Sequence, residues 1–278
     1  MGSTLKKREG RVWEVDALRG IMILVLMCYH LYYFVFNFCI VSYYQIDSYA
    51  YVNSTDPLHF WFTWGEDGVI RMNFLTPFIR EAWRLITVDT FFLISGASCM
   101  FSRNNLRRGL KTLGGGLFLA AFTFGLSKLT GDSTQFIRFG VLMCYASCQL
   151  IYVFLLEKRS SKTLLLISIP VFIIGYFLRY HHVETNLAIL LPFGFYETGA
   201  VGGDYWPILP MLGWFLLGVV LGRKYYSEKK SLFPSHTLEK LTRPLQWCGR
   251  WSGVLYIGHI VLNNVVFYGI GYIFGLIS

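Results

Sequence analysis

The segment "DALRGIMILVLMCYH", residues 16–30, decides how the rest of the chain is interpreted. It opens with an acid and a base, continues with apolar residues and ends at His30. Since a helix turns by about 100° per residue, Arg19 and His30 lie on one face, about 16 Å apart along the axis, with Asp16 on the same side. We therefore expect a membrane helix whose polar stripe faces a buried or watery cavity, because such groups are costly in lipid.

The composition is that of a membrane protein. Hydrophobic residues make up 54% of the 278-residue chain and charged residues only 15%, compared with roughly 25% in soluble domains. Several apolar runs approach the roughly 20 residues that cross a bilayer as a helix. The sequence thus predicts an all-α polytopic membrane protein, with a cytoplasmic tail at residues 1–14 and one transmembrane domain at residues 15–278. The seven predicted spans are about 15–37, 84–102, 108–128, 136–156, 163–180, 207–222 and 251–276.

The distribution of charge predicts the orientation of these spans. The net charge is +9, and the lysines and arginines concentrate in alternate segments between the apolar runs. Cytoplasmic loops carry such an excess, so the N-terminus is expected in the cytoplasm and the C-terminus outside. The expected partner of the positive charge is therefore the lipid bilayer and not nucleic acid. Residues 186–203 are too short to span, and either dip into the membrane or lie along it.

Two further ionisable residues lie within predicted spans. Asp89 in the second span reaches about the depth of His30, and a carboxylate there would orient the imidazole and stabilise its charged form. His259 in the last span lies nearer the middle of the membrane, with Asn263 one turn above it. Ionisable groups in a membrane indicate function by default, whereas polar side chains also tie helices together. We favour function for His30 and Asp89, favour helix association for Asn263 and leave both open for His259.

Four stretches carry a family resemblance. The segment 16–30, with ten residues between its arginine and its histidine, resembles the first helix of the acyltransferase-three family. Together with three later stretches in the expected order, it resembles the bacterial branch of the heparan-alpha-glucosaminide N-acetyltransferase catalytic-domain family. The resemblance implies an enzyme of a bacterial cell membrane that moves an acyl group from acyl-CoA across the membrane to a sugar-like acceptor. The later stretches are "DTFFLISGASCMFSRNNLRRGLK", "GGDYWPILPMLGWFLLGVVLGRKY" and "CGRWSGVLYIGHIVL".

Acyl transfer to a hydroxyl or an amine requires three contributions from the protein. A base must remove the proton of the nucleophile, donors must stabilise the developing oxyanion, and the reactants must be held in line. We expect His30 to be the base and Asp89 to orient it, with direct attack on the thioester preferred to an acyl-histidine intermediate. Asp16 and Arg19 support His30 from the same helix. The candidate oxyanion donors are Ser95, His259 and Asn263.

Binding sites for the two substrates are expected on opposite sides of the membrane. Acetyl-CoA is the expected co-substrate, and its phosphates require cations at the cytoplasmic side. On the outer side, Asp204 and Trp206 are candidates for the acceptor site, although aromatic residues also gather at membrane interfaces. The sequence indicates no metal site, and it leaves a homo-oligomer open. The candidate phosphate-binding residues, which ordinary positive-inside anchoring also explains, are Arg19, Arg103, Arg107, Arg108, Lys111 and Arg250.

A different class of function remains open from the residues alone. In a proton-coupled transporter or channel, His30, Asp89 and His259 would form a proton relay. Transporters often carry internal repeats, and none is visible in this chain. We therefore expect the acyltransferase first and the transporter second.

Overall fold

The structure is a computed structural model, which describes seven parts of the chain. Most of the described residues are helical, and two short strand pairs accompany the helices. The described parts are residues 12–35, 62–64, 70–72, 85–131, 136–181, 183–197 and 204–273. The α-helices are α1 Trp13–Val35, α2 Thr90–Ala97, α3 Asn105–Thr130, α4 Val141–Ile151, α5 Ser161–His181, α6 Ile208–Tyr225, α7 His236–Leu241, α8 Arg243–Arg250 and α9 Ser252–Ile273.

Shorter elements complete some of these helices. A π-helical turn, Leu85–Asp89, leads into α2, and a 3-10 turn, Ser98–Met100, follows it. A second π-helical turn, Tyr152–Leu156, continues α4. A 3-10 helix, Ala188–Phe193, lies within the segment that the sequence analysis expects to dip into or lie along the membrane. The strands are β1 Phe62–Trp64, antiparallel to β2 Ile70–Met72, and β3 Glu184–Thr185, parallel to β4 Tyr196–Glu197.

A helix lies at each of the seven predicted spans. Among the residues that the structure describes, three helices, α3, α5 and α6, are long and apolar enough to cross a membrane. Two shorter apolar helices cover Ile86–Met100 and Val141–Leu156. The protein is therefore a helical integral membrane protein, as predicted, and the two strand pairs are additions that an all-α prediction omits. The crossing by all seven helices and the placement of the termini stay predictions.

Local sequence signals explain the bounds of α3. The side chain of Asn104 accepts a hydrogen bond from the backbone N–H of Arg107 at 2.7 Å, which satisfies a donor that the helix itself leaves unpaired. The helix ends at Gly131, whose φ of 72° is left-handed and therefore suits glycine. Both ends of this helix are thus encoded by the residue at the boundary.

The chain divides into two compact units. The first contains residues 1–21 and 89–253, and the second contains residues 22–88 and 254–278. The sequence predicts one transmembrane domain from residue 15, and α1 begins two residues earlier, at Trp13. The division into a tail and one domain stays a prediction.

Two glycines allow a close crossing of α2 and α6 inside the first unit. A methyl group on Gly96 of α2 would collide with the backbone carbonyl of Phe215 in α6. A methyl group on Gly218 of α6 would likewise collide with the carbonyl of Leu93. Small residues let membrane helices approach until their backbones touch, which replaces the missing hydrophobic driving force by close packing. The fully buried Phe215 and Val219 of α6 fill the space around this crossing.

Candidate functional site

Two histidines form a hydrogen-bonded pair in the second unit. Nδ1 of His30, on α1, lies 2.7 Å from Nε2 of His259, on α9. Nδ1 of His259 lies in turn 3.0 Å from the carbonyl oxygen of Leu255, one helical turn below. The ring of Tyr256 stands edge-on to both imidazoles, with its centroid 6.1 Å from that of His30 and 5.3 Å from that of His259. The two histidines that the sequence analysis named are thus brought together.

The polar stripe of α9 continues above His259. Asn263 is buried and lies one turn further along the helix. The side chain of Asn264 donates from Nδ2 to the carbonyl of Ile260 at 2.8 Å. Its Oδ1 is buried, and no donor reaches it among the described residues. An unsatisfied buried acceptor carries a free-energy cost, so Asn264 Oδ1 is an atom to which a bound hydroxyl or amine could donate.

Asp89 lies in a polar chain inside the first unit. The side chain is fully buried, and its Oδ2 accepts a hydrogen bond from the hydroxyl of Tyr176 at 3.4 Å. That hydroxyl accepts in turn from Nε1 of Trp214 at 3.1 Å. Tyr176 and Trp214 were not predicted from the sequence, where their only signal is that each carries a polar atom within an apolar span. The expected orientation of His30 by Asp89 stays a prediction.

A second cluster joins α1 to α8 within the first unit. Oδ1 of Asp16 pairs with Arg19 at 3.4 Å, and its Oδ2 pairs with Arg250 at 3.6 Å. Arg19 also donates to the hydroxyl of Ser98. The backbones meet at Gly20 and Gly249, where an added methyl group would collide with a carbonyl of the other helix. Three predicted residues, Asp16, Arg19 and Arg250, are therefore held together, with the two cations sharing one carboxylate.

The remaining cations of the predicted phosphate site differ in their surroundings. Arg108 donates to the carbonyls of Ser95 and Ser98, at 3.1 and 3.2 Å, and to the side chain of Gln149 at 3.1 Å. Its guanidinium also lies over the ring of Tyr145. These contacts satisfy carbonyls at the end of α2, so Arg108 has a structural role that the sequence analysis did not foresee. The exposed cations are Arg103, Arg107 and Lys111.

The two predicted acceptor residues contact each other. Oδ1 of Asp204 accepts from Nε1 of Trp206 at 2.9 Å. Its Oδ2 accepts a hydrogen bond at 3.2 Å from the backbone N–H of Val141, the first residue of α4. A carboxylate at the N-terminus of a helix is stabilised by the helix dipole. Asp204 thus fixes the start of α4 as well as the indole of Trp206.

Among the described residues, no group of three or more histidine, cysteine, aspartate or glutamate side chains could hold a metal ion.

The described helices, with a histidine pair formed between α1 and α9, define an integral membrane protein with ionisable groups inside its helices. Residues 57–261 match the family model for "Heparan-alpha-glucosaminide N-acetyltransferase, catalytic". Because the match covers well over half of the chain, the protein belongs to this family of membrane acetyltransferases. The resemblance to the family is confirmed, and the assignment to its bacterial branch stays a prediction. Asp89 and His259 lie inside the matched range, whereas Arg19 and His30 precede it. No curated protein and no solved structure was found to match the chain.

Proposed function

We propose that the protein transfers the acetyl group of acetyl-CoA to a hydroxyl or an amine of a sugar-like acceptor on the outer side of a bacterial cell membrane. Family membership supports an acetyltransferase. The observation that carries the chemistry is the 2.7 Å contact between His30 and His259, which gives α1 a hydrogen-bonded imidazole that, when neutral, is suited to proton removal. Acetyl-CoA serves as the co-substrate, and no metal takes part in this proposal.

The proposed reaction is a direct transfer. His30 removes the proton of the acceptor nucleophile, which attacks the thioester carbonyl and forms the new carbon–oxygen or carbon–nitrogen bond. The carbon–sulfur bond then breaks, and the coenzyme thiolate leaves. The proton on His30 passes to that thiolate, so the ring returns to its neutral state. An acetyl-histidine intermediate is the alternative, and acetyl groups bound to protein in the absence of acceptor would indicate it.

Asp89 has an electrostatic role in this proposal. Its charge stabilises the imidazolium that forms when His30 takes the proton, and the depth argument from the sequence supports this assignment. Tyr176 donates to the carboxylate, and Trp214 donates to Tyr176. These two hydrogen bonds therefore hold the carboxylate in one orientation, which a buried charge requires.

We assign the phosphates of the coenzyme to cations around α1 and α3. Arg19 and Arg250 share Asp16, so the cluster keeps a positive charge. Exposed arginines and a lysine follow α2 at positions 103, 107 and 111. We leave Arg108 out of this site, because its donors already serve Ser95, Ser98 and Gln149. For the acceptor we propose Asp204 and Trp206, where a carboxylate adjoins an aromatic ring.

The test is a transfer assay on purified protein in lipid vesicles. Radiolabelled acetyl-CoA is offered with glucosamine as the amine acceptor and with glucose as the hydroxyl acceptor. We expect labelled sugar from the wild type and a loss of about 10² to 10⁴-fold in His30→Ala, because a general base contributes that much. The matched control is His236→Ala, since that histidine is exposed and outside the predicted spans. Transfer by folded His30→Ala near the wild-type rate would exclude this histidine as the base.

A further inference from the structure

The contact of His259 with the backbone fixes where its proton lies. A carbonyl oxygen only accepts hydrogen bonds, so the 3.0 Å contact with Leu255 requires the proton of His259 to be on Nδ1. A neutral imidazole carries a single N–H, which leaves a lone pair on Nε2 of His259. That lone pair faces Nδ1 of His30 at 2.7 Å, so the proton of His30 is on Nδ1. The remaining nitrogen of His30, Nε2, is therefore unprotonated.

The arrangement of the rings suits this hydrogen bond. The ring centroids are 5.0 Å apart and the ring planes are inclined by 14°. The separation of the centroids exceeds the nitrogen–nitrogen distance by about one ring width, so the two imidazoles lie end to end and nearly in one plane. In this geometry the N–H of His30 points along the lone pair of its neighbour, which is the favoured direction for a hydrogen bond. The edge of Tyr256 restricts the rotation of both rings.

We propose that His259 is a positioning residue for His30: it anchors the imidazole to the backbone of α9 and holds the tautomer in which Nε2 of His30 removes the proton. The kinetic part of this inference rests on the proposed function, whereas the tautomer does not. Partners of a functional histidine commonly fix its tautomer and orientation, and here a neutral imidazole takes the place of the usual carboxylate or carbonyl. When Nε2 accepts a proton, the N–H of Nδ1 becomes a stronger donor, so the same hydrogen bond stabilises the imidazolium.

The tautomer is measured without turnover. Protein labelled with 15N-histidine is placed in lipid bilayers at about pH 8, above the ordinary histidine pKa, and the ring signals are recorded by solid-state NMR. The chain has six histidines, so the signals of interest are assigned by their loss in His30→Gln and in His259→Gln. We expect an Nδ1–H tautomer for both rings, and a shift of His30 toward the Nε2–H tautomer in His259→Leu. An Nε2–H tautomer of His30 in the wild type would overturn the inference.

The kinetic test compares two replacements of His259. Glutamine reaches about as far as Nε2 and offers an acceptor oxygen to His30, whereas leucine offers none. We expect His259→Leu to lower kcat by about 10 to 100-fold with the KM for acetyl-CoA unchanged, as for other partners of functional histidines. We expect His259→Gln to recover at least about tenfold of that loss, because it restores the hydrogen bond. The matched control, His236→Leu, should keep both constants.

The outcomes separate this inference from the proposed function. Equal kcat values for His259→Leu and His259→Gln, or a change confined to KM, would show a structural role and overturn the positioning role. Transfer by a wild type whose His30 carries its proton on Nε2 would overturn the inference and leave the acetyltransferase intact. A wild type with the Nδ1–H tautomer and no transfer would overturn the proposed function, and the positioning role with it.

Discussion

The relation between His30 and Asp89 is testable at the scale of single residues. Asp89→Asn keeps the shape of the side chain and removes its charge, so turnover should fall strongly if the carboxylate stabilises the imidazolium. If the two residues act as a unit, the double variant should be little slower than His30→Ala alone. The measurement is kcat for the wild type, both single variants and the double variant, with Tyr176→Phe as a milder change at the same carboxylate. Multiplicative losses would separate Asp89 from His30 and assign it to the acceptor.

Arg19 and Lys111 should differ in their contribution to coenzyme binding. Arg19 is held by Asp16 and Ser98, so little side-chain entropy is lost when a phosphate binds. Lys111 is exposed, and other cations lie on the same segment. We therefore expect Arg19→Ala to weaken acetyl-CoA binding more than Lys111→Ala, as measured by isothermal titration. Equal losses, in variants with equal thermal stability, would assign coenzyme binding to the exposed cations at positions 103, 107 and 111.

The sequence predicted the ionisable residues of the site better than their partners. His30 and Asp89 were recognisable because charged and titratable groups are rare inside apolar spans. The hydrogen bond between His30 and His259 was not predictable, because helix periodicity gives the face of each residue and not the rotation of one helix against another. The contacts of Arg108 with backbone carbonyls were not predictable either, because the spacing of residues in the sequence does not indicate them.

At the scale of elements, the crossing of α2 and α6 should be sensitive to a larger side chain at its glycines. Gly218→Ala places a methyl group against the carbonyl of Leu93, so the two helices must separate. Overpacking of this kind costs about 1–3 kcal/mol. The matched control is Gly125→Ala in α3, where no atom lies within 4 Å of the added methyl group. We expect the midpoint of thermal unfolding in detergent to be lower for Gly218→Ala than for the wild type, and to be unchanged for Gly125→Ala. Equal midpoints for the two variants would contradict the close crossing.

The segment after α6 carries a pH-dependent contact with α1. Glu14 accepts hydrogen bonds from the backbone of Leu232 at 2.7 Å and from Ser231 at 2.8 Å. Burial, followed by the charge of Glu14 and a hydrogen bond to it, raises the pKa of Tyr226 to about 12. The ordinary pKa of a tyrosine in an unfolded chain is about 10. The unfolded state therefore loses this proton first, so the stability that the phenol contributes is intact below about pH 10 and falls between about pH 10 and 12.

Replacement of this tyrosine isolates its effect from other alkaline titrations. We expect Tyr226→Phe to lose less stability than the wild type as the pH rises from about 10 to 12, because the variant has no phenol to ionise at that position. The measurement is the midpoint of chemical unfolding at each pH. Tyr225→Phe, at an exposed neighbouring position, is the matched control. Parallel curves for the wild type and Tyr226→Phe would contradict the raised pKa.

The long helices were more predictable than the short elements. Apolar runs gave the positions of α3, α5 and α6, since length and hydropathy suffice for a membrane helix. The strand pairs have two or three residues in each strand, which is too short for an alternating pattern to indicate a strand. The helices α7 and α8 lie between the last two predicted spans, in one of the segments that were described only by their excess of lysine and arginine. The start of α7 is capped by the side chain of Ser235, whereas the contact of α8 with α1, at Gly249 against Asp16, depends on a distant part of the chain.

At the scale of the whole molecule, binding of acetyl-CoA separates the enzyme from the transporter. An acetyltransferase must bind the coenzyme without any proton gradient, whereas a proton-coupled transporter with a histidine relay has no need of it. We expect purified protein to release or absorb heat on titration with acetyl-CoA. We also expect stabilisation of the fold by about 2.7 kcal/mol at a hundred times Kd, because a ligand that binds only the folded state shifts the unfolding equilibrium.

The controls for this last prediction follow from the site. The variant Arg19→Ala should reduce the heat and the stabilisation together, because both report the same binding event. His30→Ala should leave both nearly intact, since the ring is assigned to proton removal and makes no nucleotide contact in the proposal. No heat at millimolar acetyl-CoA, with protein shown to be folded, would contradict the acetyltransferase. Proton flux into vesicles without acetyl-CoA, lost in His30→Ala, would then favour the transporter, because the histidine pair would be moving protons along α1 and α9 without any acyl donor.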